Sequence, residues 1–454
     1  MFLTKAHELE IAGIDSSTDT SMFEHPNGTV VLNSTVDVLS LPPTDHGKHA
    51  YFVLAGCTVI QAPVWGFSMS FGVFQKFYTT NTVNTHYYGS PGDIAIVGTT
   101  LNGLMYLMMP VTFALLTKYP RLRPYTGPFG LFLTVLTLSQ GVLCAVGTGL
   151  LFSPTTLYLD EWFSSRKSLA YGIMWAGKAA AGAVIPFIME ALLDKYGAGK
   201  TLRAWAVALV VLTAPLLFYL KPRIPISPAR TRKPLCWTFL KKPGFWLLQI
   251  GNIIQALGYL LPPTYLASYA KDVGIQSPIK GAMLIAVVSL ANVPGSMFSG
   301  FLGDHYPAAT VILISSIGSS MAVLLLWGLA AQMALLVPFA ALYGFFGGGF
   351  SSAYSAIAKE MKRTDEGVED GVVMGCLLGA RGVGFMVGGP MSAALLNGRS
   401  NLKSSGFDGK YGLIIVFTGA TALFGSCGLI WTTLKAVCGS SVAGLASITL
   451  WRSP

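Results

Sequence analysis

Two basic side chains stand inside stretches that are otherwise almost free of charge. Lys178 follows Gly172-Ile173-Met174-Trp175-Ala176-Gly177, and Arg381 sits within Gly379-Ala380-Arg381-Gly382-Val383-Gly384. Neither run carries an Asp or Glu at comparable depth. A cation in apolar surroundings is costly unless water, carbonyl oxygens or an anion reach it. The chemistry open to this pair is therefore non-covalent: holding a negative group. A second use of each residue stays open. Arg381 could instead bind carbonyls of its own glycine-rich helix, and Lys178 could snorkel along a small-residue face.

Weaker polar candidates lie at similar depth. Trp65 and Ser68, close to Gln61, share one face of the first apolar run. Asn252, Gln255 and Tyr259 fall at helical spacing on another, and Asn292 and Tyr343 are isolated polar groups on two more. Interhelical hydrogen bonding accounts for any one of them. Three amphipathic side chains in register exceed what packing needs, so the 252–259 stripe reads as a cavity lining. No nucleophile, base and acid occur together, and no His lies at depth. The six cysteines show no metal-binding or paired spacing. Gly347-Gly348-Gly349 lacks the Lys-Ser/Thr of a phosphate loop. An enzyme, a metal and an organic cofactor are accordingly not expected.

The elements that must position these groups follow from composition. Of 454 residues 52% are hydrophobic and 11% charged, with a mean hydropathy of +0.58. Soluble domains carry about 25% charged residues, so a water-soluble enzyme is excluded. Apolar runs occupy 51–77, 94–117, 125–158, 168–192, 203–220, 244–268, 280–303, 307–330, 332–357, 371–396 and 411–435. A spanning helix needs about 20 such residues. The formal charge of +10 fits basic cytoplasmic loops better than nucleic-acid binding.

The basic residues also fix topology. Lys221, Arg223, Arg230, Arg232, Lys233, Lys241 and Lys242 lie in a stretch with no acid, between two halves of similar length. Lys118, Arg121 and Arg123 mark another inside loop, and Arg166-Lys167 a third. The chain must then cross and return within the 36 residues 124–159. That leaves about 24 Å for each crossing, against a hydrocarbon thickness of about 30 Å. The expectation is an all-α polytopic protein of twelve helices in two six-helix halves, with a shortened third helix turning near Ser139-Gln140-Gly141. Its layout is a disordered cytoplasmic tail over 1–49, halves over 50–220 and 244–435, a basic linker over 221–243 and a tail over 436–454. Both termini fall on the cytoplasmic side. Asp304, ending the eighth helix, is expected to cap the next helix as a gating or structural group, with Arg166 serving at the same face.

Several motifs carry a resemblance. Gly300-x-Leu302-x-Asp304 resembles the short loop motif of the major facilitator superfamily. Tyr158 to Gly177 is more specific, with Trp162-Phe163, Arg166-Lys167, Leu169-Ala170-Tyr171-Gly172 and Ala176-Gly177. It resembles the fifth-helix signature of the monocarboxylate transporter family. Gly72 to Tyr78, Gly344 to Ser352 and Arg381-Gly382-Val383-Gly384 are similar to its fungal branch. The likeness runs from Tyr51 to about Lys435. It implies the major facilitator fold and a rocker-switch carrier in a fungal-type plasma membrane, moving small carboxylates or related metabolites, often with a proton. There are departures. Met69 stands where animal members carry a lysine, and Ser289 to Ser296 lacks their Asp/Arg pair.

The expected partners are thus a small organic anion, a proton where transport is coupled, and the lipid bilayer. No nucleic acid and no obligate protein partner is expected. The alternatives are efflux of a secondary metabolite, for which a larger and more apolar cavity would speak, and a non-transporting sensor or decayed carrier.

Overall fold

The computed structural model describes residues 42–80, 91–136, 142–224, 235–274, 278–330, 332–365, 367–397, 400–401 and 407–426. Among these residues the chain forms twelve helical rods. α1 is Lys48–Val59 continued by Gln61–Thr80, α2 is Pro91–Leu107 continued by Met109–Lys118, α3 is Arg123–Leu136 and α4 is Val142–Trp162. The helix Lys167–Tyr219 holds two rods, α5 (167–196) and α6 (198–219). Gly197, at φ 75°, separates them in a left-handed conformation that a side chain disfavours. α7 is Pro243–Tyr259 continued by Leu261–Asp272, α8 is Pro278–His305, and α9 is Ala308–Met321 with a π turn over Ala322–Trp327. α10 is broken into Met333–Gly347, Gly349–Ser352 and Tyr354–Thr364; α11 is Asp370–Asn397 and α12 is Gly412–Phe424. A two-residue antiparallel ladder, Ser400–Asn401 with Asp408–Gly409, joins the last two rods.

Nine helices among the described residues are long and apolar enough to cross a membrane, one of them the continuous helix that holds α5 and α6. α3, with 14 residues, is about 21 Å long. Its described part is shorter than a full crossing, as expected of the shortened third helix that the loop charges favour. The turn expected near 139–141 lies outside the described residues, as do residues 225–234 of the basic linker and the whole C-terminal tail.

Breaks in the rods have local causes. Proline removes a helix hydrogen bond four residues back. Pro263 so frees the carbonyl of Tyr259, and the Tyr343 hydroxyl donates to it at 2.8 Å. Close approach of rods rests on glycine. A Cβ on Gly172 would stand 2.5 Å from the Ser296 carbonyl oxygen, and one on Gly300 2.4 Å from that of Ser168, so α5 and α8 touch backbone to backbone.

Residues 42–47, expected to be part of a disordered tail, are built into the end of the bundle that carries the basic loops. Asp45 is buried, and its carboxylate accepts from the backbone N–H groups of Ser164, Ser165 and Arg166 at 2.9–3.0 Å. Burial pushes its carboxyl up, but the bonds from Ser165, Arg166 and Ser164 outweigh this and hold it below the ordinary value of 3.8. Residues 1–41 lie outside the described residues.

Candidate functional site

The stripe Asn252, Gln255 and Tyr259 faces α11 turn by turn. Asn252 Nδ2 donates to the Leu377 carbonyl at 2.7 Å. Gln255 Oε1 accepts from Arg381 Nη1 at 2.8 Å. The Tyr259 ring lies 4.4 Å from the Arg381 guanidinium carbon and 6.0 Å, stacked, from Phe385. Steps of three and four residues on α7, against four and four on α11, keep the three pairs facing one another. Arg381 is 1% exposed. Its remaining polar neighbour is the Tyr354 hydroxyl, 3.5 Å from Nη1, which itself donates to Asn252 Oδ1 at 2.6 Å. The second terminal nitrogen, Nη2, is buried without a hydrogen-bond partner.

Lys178 lies against a separate group of rings. Its Nζ is 3.8 Å from the centre of the Trp65 ring, 5.4 Å from that of Trp175, and donates to the Tyr106 hydroxyl at 3.2 Å. The ammonium is thus turned inward to aromatic faces, which attract cations through their quadrupole, and not along the helix toward an end. Gln61 fixes the Trp65 ring by accepting its indole N–H at 2.9 Å. Tyr106 packs on Trp65 at 5.1 Å and on Phe385 at 5.2 Å. A continuous row of rings therefore runs from Lys178 to Arg381. Among the described residues neither meets a carboxylate.

Two candidates lie apart from this row. Asn292 packs on the break in α10, where a Cβ on Gly348 would meet its Oδ1. Tyr343 is anchored at the Tyr259 carbonyl, so it touches the row through backbone.

At the basic end the outcome differs from expectation. Asp304 does not cap the helix that follows it. Its two oxygens accept from Ser168 N at 2.8 Å and Leu169 N at 2.9 Å, the first turn of α5. The backbone contact of α5 with α8 brings that turn to it, while Ala308 N of α9 donates to Glu360 instead. Arg166 takes part only through its backbone N–H to Asp45, its side chain being exposed. The neighbouring Lys167 holds the charge: it is buried and pairs with Asp160 at 2.8 Å and with Asp370 of α11 at 2.5 Å.

Sequence reading did not find Tyr354, Tyr106, Phe385, Asp160 or Asp370 as site residues. Tyr106, Tyr354 and Phe385 carry no polar periodicity to set them apart from ordinary apolar helix. The acids sit at helix ends, where a solvated role is the default.

The chain matches no family model. It is 27% identical over 425 residues to the agnestins efflux protein AgnL12 of Paecilomyces divaricatus, covering 90% of this chain and 93% of that one. It is 25% identical over 398 residues to the fujikurins efflux protein of Gibberella fujikuroi, with 85% and 82% covered. It is 24% identical over 403 residues to the MFS transporter asaE of Aspergillus flavus, with 86% and 87% covered. Among solved structures, the human organic anion transporter MFSD10 (TETRAN) superposes with a TM-score of 0.61 at 12% identity, over 85% of this chain and 100% of that one. The fold is that of the major facilitator superfamily. A multi-pass membrane protein follows from it, and the relatives' names support the transporter class at superfamily level. They do not reach the monocarboxylate branch that the motifs resemble.

Proposed function

We propose that this protein is an alternating-access carrier that exports an organic anion, its acidic group docking at Arg381. The observation that carries the reading is the buried Arg381 guanidinium, with Nη2 unpartnered, Lys178 at the other end of the same row of rings, and no carboxylate against either among the described residues. In a low-dielectric interior such a pair favours a guest that brings negative charge. Lys178 assists, and Trp65, Tyr106, Tyr259 and Phe385 supply ring faces to an apolar body. Gln255 orients Arg381, and Asn252 holds Gln255's helix against α11.

A ring-lined site suits a larger, conjugated metabolite better than a small monocarboxylate. Relatives named as efflux proteins for fujikurins and agnestins support the same direction. The halves 50–220 and 244–435 would rock about this site. With the basic end placed in the cytoplasm, the contacts of Asp304, Lys167 and Asp370 close the cytoplasmic gate in this conformation. A fungal-type plasma membrane is the expected location, and a proton would travel on the substrate or through exchange at the gate.

The experiment is flux in proteoliposomes of purified protein, comparing small monocarboxylates with aromatic carboxylic acids, with and without a pH gradient. Faster movement of the aromatic acids, lost in Arg381→Ala, supports the reading. Equal flux through empty vesicles or through the Arg381→Ala protein overturns it.

A further inference from the structure

A cavity lies away from the central rings, at the basic end between α3, α4 and the end of α6. It measures about 220 Å³ and is lined by Arg123, Thr155, Tyr158, Leu217, Phe218 and Lys221 together with neighbouring prolines and Gly127. No acidic residue is part of that lining.

Three donors on the lining are uncommitted. Tyr158 is 4% exposed and lines the cavity, and its hydroxyl makes no hydrogen bond to another described residue. Arg123 is 9% exposed. Its Nε is bound to the Leu116 carbonyl and its Nη1 to Glu161, which leaves Nη2 without a partner among the described residues. The Lys221 ammonium pairs with no acid among the described residues, while its backbone carbonyl is pinned by the Trp162 indole N–H at 3.1 Å. Each keeps a donor that no described residue takes up, and an acceptor-rich anion at the cavity can be held by all three.

The surroundings identify the anion's source. Phe218 and Tyr219, where α6 ends, are 80% and 77% exposed, and Tyr125 at the start of α3 is 72% exposed. Exposed aromatics beside basic residues mark the level of lipid headgroups. Lys221 opens the basic linker, and the cytoplasmic leaflet is the one rich in anionic lipid.

We propose that this cavity binds the phosphate of an anionic phospholipid from the cytoplasmic leaflet, with Arg123, Tyr158 and Lys221 as its donors and Leu217 and Phe218 against the chains. The site is independent of the central row, so it stands or falls apart from the transported substrate. Bound there, the lipid ties the start of α3 to the end of α6.

The test uses the purified full-length protein in neutral detergent. Thermal unfolding is followed with added phosphatidylserine, phosphatidylcholine of the same chains, or inorganic phosphate. Phosphatidylserine is expected to raise Tm above the phosphatidylcholine value, and Lys221→Ala with Tyr158→Phe to remove that excess while leaving the phosphatidylcholine value unchanged. An equal rise from both lipids, or an excess that survives both substitutions, overturns the proposal. A full rise from inorganic phosphate alone assigns the cavity to a soluble anion and overturns the lipid. Native mass spectrometry of the unmodified protein provides a readout that needs no variant. Selective retention of phosphatidylserine is expected, and equal retention of both lipids counts against the site.

Discussion

Arg381 of α11 donates through Nη1 to Gln255 Oε1 of α7 at 2.8 Å, while its Nη2 stays buried and unbonded. The neutral amide orients the guanidinium without cancelling its charge. Gln255→Glu should therefore act as a built-in competitor: a carboxylate of nearly the same shape would pair with Arg381 and exclude an anionic guest. Hydrogen bonds to charged groups are worth about 1.5–3 kcal/mol, which corresponds to an affinity loss of roughly 10- to 100-fold. Equilibrium binding of an aromatic carboxylate to purified protein measures it, alongside thermal unfolding, which should show no loss of stability. Unchanged binding would show that Arg381 does not face the ligand.

Lys178 should contribute less than Arg381. Its ammonium is already stabilised by Trp65 at 3.8 Å and by the Tyr106 hydroxyl. Cation–π contacts are worth about 0.5–2 kcal/mol, with Trp better than Phe. Trp65→Phe loosens Lys178 from its ring, and the substrate affinity is expected to change by less than about tenfold. Lys178→Met removes the charge and should weaken binding further, though less than Arg381→Ala. The same binding titration ranks the three; a larger loss from Lys178→Met than from Arg381→Ala would reverse the assigned roles.

How far the sequence reveals this site depends on what each residue contacts. Twelve rods and a short α3 were legible because hydrophobic length and loop charge are properties of continuous sequence. Arg381 and the 252–259 stripe were legible because charge at depth and helical spacing are local signals. The partner of Asp304 was not, since α5 reaches it through a glycine contact between rods distant in sequence. Lys167 reads like an ordinary member of a basic pair until Asp160 and Asp370 are brought to it from two other helices. Asp45 sits in a polar segment that composition assigns to a tail. Only the fold shows three backbone N–H groups converging on it.

Asp45 gives a pH dependence with a defined sign. Its bonds to Ser164, Ser165 and Arg166 hold the folded carboxyl below 3.8. A depressed folded value means that the contribution is fully present above the unfolded value. It declines as pH falls from there through the folded one. The attachment of residues 42–47 should therefore be unaffected between neutral pH and about 5, and should weaken below 3.8. Asp45→Asn should lose this dependence and, at neutral pH, expose the amides of 164–166. Hydrogen exchange at those amides, in wild type and variant at two pH values, checks it. Equal protection in both proteins would show that the carboxylate does not hold the turn.

The backbone contact between α5 and α8 can be tested with a single methyl group. A Cβ on Gly172 would stand 2.5 Å from the Ser296 carbonyl oxygen and 3.2 Å from the Gly300 Cα. These are backbone atoms, so the clash cannot be relieved by turning a side chain, and the rods must separate. Overpacking of this kind costs about 1–3 kcal/mol. Separation would also draw Asp304 away from Ser168 and Leu169, releasing the cap on α5. Gly172→Ala should thus lower Tm and speed hydrogen exchange at Ser168 and Leu169. Gly199→Ala is the matched control, because a Cβ there meets nothing within 4 Å and Ala favours a helix over Gly. Equal Tm values for the two variants would show that α5 and α8 do not depend on glycine for their approach.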